Sequence, residues 1–242
     1  METMREKRKI KSYADGFSLV EMAVVLVILG FVITALILPI TAQREANFLR
    51  HTDNQLEIAK KALIGFAQAN GRLPCPALDG VGQPGEEQPQ GGMCNTAQSV
   101  ADGYLPAATL GIAAGFSLDG WGHRIRYAVT QTPSVSIPIV SAPFTTTNGM
   151  AAARMQNLTP TLKILNGVGG ISMIDNAVAV VYSTGKDLNS GGADEDENLD
   201  GDNEFVSHDI QANGSTGEFD HRLVWISPYV LYNAMIQAGQ LP

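Results

Sequence analysis

The stretch Asp196-Glu197-Asn198-Leu199-Asp200-Gly201-Asp202-Asn203-Glu204 sets oxygen-bearing side chains at alternate positions around a glycine. This is the first half of a D-x-N-x-D-G calcium loop, in which alternate oxygens converge on one point and the glycine permits the sharp turn. A hard cation offsets the repulsion that otherwise keeps so many carboxylates apart. Asp196, Asn198, Asp200 and Asp202 are therefore candidate calcium ligands, and the ion would fix a loop instead of activating water. The twelfth position is Ser207 in place of a bidentate Glu, so Asp209 or Asp187 is needed to complete the shell. The competing reading is a solvated acidic loop with no ion.

Catalytic chemistry is poorly represented. The chain has no Gly-x-Ser-x-Gly elbow and no His-Glu-x-x-His, and His51, His123, His208 and His221 show no metal-ligand spacing. The expectation is a protein that is not an enzyme. Its two cysteines, Cys75 and Cys94, lie outside any Cys-x-x-Cys or His-containing pattern, which argues against zinc and for a disulfide in an oxidising compartment. Closing a loop of that size contributes about 3 kcal/mol in the chain-entropy treatment. A net charge of -8 argues against nucleic acid as a partner, because phosphate binding needs a basic face.

The charge is unevenly placed. Residues 187–209 hold nine acids and no Lys or Arg, whereas Arg5, Lys7, Arg8, Lys9 and Lys11 precede the apolar run from Phe17 to Ile40. At ~1.5 Å per residue, that run as a helix is long enough for a ~30 Å hydrocarbon core. The basic residues place its start in the cytoplasm and everything after Ile40 outside. It is too long for an ordinary secretory signal, and Ile40-Thr41-Ala42 is a poor cleavage match. Within it sits Glu21, a carboxylate that costs about 2.5–3.5 kcal/mol near a bilayer centre, or much less at the helix start, where the dipole favours an acid.

The string Gly16-Phe17-Ser18-Leu19-Val20-Glu21, following a basic leader and opening an apolar helix, resembles the cleavage and methylation signature of type IV pilins, minor pilins and type II secretion pseudopilins. The resemblance is strongest over residues 12–45. It implies a class III prepilin that a prepilin peptidase/methyltransferase cuts after Gly16 and N-methylates at Phe17. It further implies that Glu21 pairs with the Phe17 amine of a neighbouring pilin or pseudopilin in a filament built on an inner-membrane assembly platform. Asp15 departs from the Lys or Arg expected before the glycine.

The elements that must position these residues follow from periodicity. Leu49, Thr52, Leu56, Ala59, Leu63 and Phe66 recur at three- and four-residue spacings, so the helix continues as an amphipathic half to Asn70-Gly71. Strands are expected at Ile125–Val129 after the Asp119-Gly120-Trp121-Gly122 turn, at Ser134–Val140, Thr161–Leu165, Ala177–Tyr182 and Arg222–Ile226, and a short helix at Pro228–Gln237. The Trp-Gly turn resembles that of major pseudopilins, in which a calcium site also follows a strand ending like Ser183-Thr184-Gly185-Lys186-Asp187. The expected fold is α+β and pilin-like: a leader at 1–16, a transmembrane half at 17–40, an amphipathic half at 41–71, and a periplasmic domain at 72–242 in which the helix packs on an antiparallel sheet. The leading function is a structural or minor subunit of a type IV pilus or a type II secretion pseudopilus. The alternatives are a membrane-anchored periplasmic binding module or adhesin that does not polymerise, and a periplasmic hydrolase.

Overall fold

A computed structural model describes residues 16–94, 98–135, 139–188, 191–214 and 217–241, excluding the side chains of residues 35–42, 213 and 214. The leader at 1–15, including its basic residues, lies outside the described residues. The chain divides into two compact units, Met1–Ala46 and Asn47–Pro242. Helix α1, Leu19–Asn70, contributes to both.

From Met22 to Ile33 the helix carries no polar side chain, and Val20, Met22, Val24–Leu29 and Phe31–Ile33 are each about half exposed or more. Gly30 does not break it, and Thr34 Oγ1 donates 2.8 Å to the Gly30 carbonyl. Among the described residues no helix is long and apolar enough to cross a membrane. The last quarter of the expected span, residues 35–40 with Pro39, has its side chains outside the description.

In the second unit the expected stripe is buried at Thr52, Leu56, Ala59 and Leu63. Phe66 is only half-buried, under the Arg72 guanidinium, and Ala67 takes the core position instead. The helix stops as its sequence requires: Gly71 adopts φ +69° and donates its N–H to the Ala67 carbonyl. The stripe packs on a four-stranded antiparallel sheet of order β1-β2-β5-β9, formed by Val100–Tyr104, Arg126–Thr130, Ala179–Ser183 and Arg222–Ile226. Tyr127, Val129, Val181 and Ile226 join this core with Leu231 and Met235 of helix α4, Pro228–Gln237. The Ser227 hydroxyl caps α4 by accepting from Val230 N–H, with proline at the first helical position as expected.

Alternation along β2 is hidden because the sheet's other face is covered too. Ala128, Val180 and Tyr182 pack with Leu162, Ile164, Ala177 and Phe205 from a second sheet. That sheet has order β4-β3-β6 from Ser172–Ala177, Leu162–Leu165 and Glu204–Val206, and its β3–β6 pair is parallel, so the expectation of one antiparallel sheet is too simple. A small ribbon, β7 Gln211–Gly214 and β8 Gly217–Phe219, precedes β9. Ser134–Val140 is not a strand in its described residues: Ser134 N–H donates to the Val140 carbonyl, and Val140 N–H to Ser134 Oγ, pinching a loop shut. Cys75 and Cys94 are disulfide-bonded and buried.

Candidate functional site

The N-terminal motif starts without regular structure at Gly16, Phe17 and Ser18. Phe17 is 84% exposed, and no described residue comes within 4 Å of where a Cβ on Gly16 would stand. An uncovered junction of this kind is what a peptidase needs. Helix α1 then opens on a capping box. The Glu21 N–H donates 3.1 Å to Ser18 Oγ, and the Ser18 N–H donates 2.9 Å to Glu21 Oε2. Glu21 is thus held by its own helix start, where the dipole favours it. The Ser-x-x-Glu spacing of Ser18 and Glu21 is the sequence signal for this box.

The Asp119-Gly120-Trp121-Gly122 turn is a clamp. Asp119 Oδ1 accepts the Trp121 and His123 N–H groups, and Oδ2 accepts the Ser183 hydroxyl at 2.6 Å. Gly120 N–H donates to Thr52 Oγ1, and a Cβ at Gly120 would stand 2.2 Å from the Phe48 carbonyl oxygen. The turn joins helix to sheet and shows no open chemistry.

The acidic stretch opens in a short helix, α3, Ala193–Glu197, which takes in Asp196. Asn198, expected as a ligand, is buried and spends its amide on Val206, accepting from its N–H at 2.7 Å and donating to its carbonyl at 3.1 Å. Asp200 and Asp202 do come together, with Glu197 as their third member, their oxygens within 4.8 Å on the surface. Burial, then the neighbouring Asp200 and Asp202, raises the Glu197 pKa. Asp196 and Asp187 are not part of that group.

Behind this loop lies a cluster that sequence spacing did not point to. Glu195, Asp220 and His221 are buried, at 0%, 8% and 2% exposure, and offer two carboxylate oxygens and a ring nitrogen within 4.8 Å of one another. Glu195 Oε1 accepts the Asp220 N–H and Oε2 accepts the Gly191 N–H. Asp220 Oδ2 accepts the Lys186 N–H, while Oδ1 sits against Gly185, where a Cβ would come within 1.6 Å of it. Burial is the largest cause raising both carboxyl pKa values, with Asp187 adding to each. The 25-residue separation of these groups gave the sequence no motif to show.

Residues 11–37 match the prokaryotic N-terminal methylation motif, the class III prepilin signal. The match supports a type IV pilin-like protein. No curated protein and no solved structure matches the chain.

Proposed function

We propose that this chain is a non-enzymatic structural or minor subunit of a type IV pilus or type II secretion pseudopilus. It is inserted through residues 17–40 with its leader in the cytoplasm, cut after Gly16 and N-methylated at Phe17. It is then drawn from the inner membrane by an assembly platform into a filament. The observation that carries this reading is the methylation motif at residues 11–37, on a helix whose apolar side chains have no cover of their own. A helix that is hydrophobic all round needs lipid or other helices around it, and a filament core supplies the second after the membrane has supplied the first. Glu21 then exchanges its bond to the Ser18 N–H for the Phe17 amine of a neighbour, which leaves a charge unpaired in any misplaced subunit. The Cys75–Cys94 disulfide supports export of the second unit to an oxidising compartment.

The test is mass spectrometry of the mature N-terminus from host membranes, with a Gly16→Ala control. N-methylated Phe17 in the native chain, lost in the control, is the expected result. An intact Met1 identifies an anchored module instead, and an end near Ala42 a soluble exported protein. Either outcome overturns the filament reading.

A further inference from the structure

Two carboxylates in the core need a counter-charge. Glu195 and Asp220 are each more than nine-tenths buried, and among the described residues neither has an ion-pair partner. An uncompensated buried charge is costly, and such groups acquire a proton, a cationic side chain or a metal ion. Two further atoms are unsatisfied here: Asp220 Oδ1 and His221 Nε2 are both buried with no hydrogen-bond partner among the described residues. The residues that carry these two atoms form, with Glu195, the same buried cluster.

We propose that Glu195, Asp220 and His221 bind a divalent cation of the zinc class, which fastens α3 to the link between β8 and β9. One nitrogen and two carboxylate oxygens suit a zinc-class ion better than calcium, which takes six to eight oxygens. A cation ~2.1 Å from each ligand holds them ~3.4 Å apart, so atoms already within 4.8 Å close on it with small side-chain rotations. Glycine at 185 gives the Asp220 carboxylate its close approach to the backbone.

The tautomer supplies a signature. Asn198, oriented by its two bonds to Val206, points its Nδ2 at His221 Nδ1, 3.2 Å away. Nδ1 therefore accepts, and the ring proton sits on Nε2 in the metal-free protein. A cation bound at Nε2 moves that proton to Nδ1 and gives up the long Asn198 contact. The site is separate from the surface carboxylates Glu197, Asp200 and Asp202.

The full chain, purified in detergent and stripped with a chelator, is titrated with Zn2+, with Ca2+ as comparison. The expected result is one Zn2+ retained per chain. His221→Gln and Asp220→Asn each weaken retention at least about tenfold, and the double variant Asp200→Asn, Asp202→Asn leaves it within twofold. Nitrogen-15 histidine spectra of the native chain need no variant to fold. Zn2+ is expected to convert one of the four histidines from the Nε2–H to the Nδ1–H form. The proposal is overturned if Zn2+ leaves all four rings unchanged, if His221→Gln retains Zn2+ as well as the native chain, or if Zn2+ is lost with Asp200 and Asp202.

Discussion

The two units of this chain handle polarity in opposite ways. From Leu19 to Ile33 the described side chains are apolar and exposed save one carboxylate, Glu21, which is satisfied within one helical turn. After Asn47 the apolar side chains are covered from both faces of a sheet, and charged groups are drawn inside with them: Arg72, Glu87, Asp194, Glu195 and Asp220 are all buried. The first unit is completed by its surroundings, and the second by its own contacts. Changes in one should therefore be read out as assembly and in the other as stability.

The largest stability effect is expected at Arg72 and Glu87. This pair is bidentate at 2.6 and 2.7 Å, with both side chains buried, and Glu87 also accepts the Cys75 and Gly91 N–H groups. It is the hub of the loop that the disulfide closes. Glu87→Gln strands the guanidinium in the core and is expected to cost about 3–5 kcal/mol. Denaturant unfolding followed by Trp121 and Trp225 fluorescence measures it. The cleavage that we propose after Gly16 should not change; a variant that also lost it would break the division between the units.

Next comes the disulfide. Serine at both Cys75 and Cys94, 19 residues apart, is expected to cost about 3 kcal/mol in the same assay. A loss under about 1 kcal/mol would show instead that the Glu87 contacts hold the loop in the unfolded ensemble or without the bond, which sharpens the account of how the second unit closes on itself.

A smaller effect comes from acid. Burial pushes the Glu87 carboxyl up, but Arg72 and the Cys75 and Gly91 N–H groups outweigh it, so its folded pKa lies below the usual carboxylate value. A depressed acid pKa stabilises the fold above the unfolded value near 4.5, and that contribution is lost as pH falls through the folded pKa. The gap in stability between native chain and Glu87→Gln should therefore narrow on acidification below about pH 4.5. A gap that stayed constant down to pH 3 would remove the carboxylate from the explanation.

What the sequence disclosed follows the same division. Helix α1, its stop at Gly71, β2, β3, β5, β9 and α4 were legible because each carries a periodic or capping signal in consecutive residues. Strand β1 was not: Val100-Ala101-Asp102-Gly103-Tyr104 has weak strand formers, and its Gly103 is there because a Cβ would meet the Ala77 carbonyl oxygen at 2.7 Å. Ser134–Val140 was misread as a strand because β-rich composition does not reveal that its ends bond to each other. At the acidic loop, spacing named Asn198 as a ligand, while the fold uses that amide to hold β6. Glu195, Asp220 and His221 were invisible because chain distance hides a contact that only the tertiary fold makes.

The smallest effect is expected at the helix start. Ser18→Ala removes the hydroxyl that accepts the Glu21 N–H, one half of the capping box, and leaves the Glu21 carboxylate free to keep its bond to the residue-18 N–H. An N-cap serine is worth about 1 kcal/mol, or roughly fivefold in local opening. Hydrogen exchange of the Glu21 amide in detergent should quicken by about that factor, while Ser18→Thr, which restores an acceptor, should return it most of the way. Because the carboxylate is untouched, the N-methylation of Phe17 and the incorporation beside a neighbour that we propose should be unaffected. Loss of incorporation in Ser18→Ala with exchange unchanged would mean that Ser18 acts between subunits and not on its own helix, which would give this turn a part in assembly that its internal bonds do not indicate.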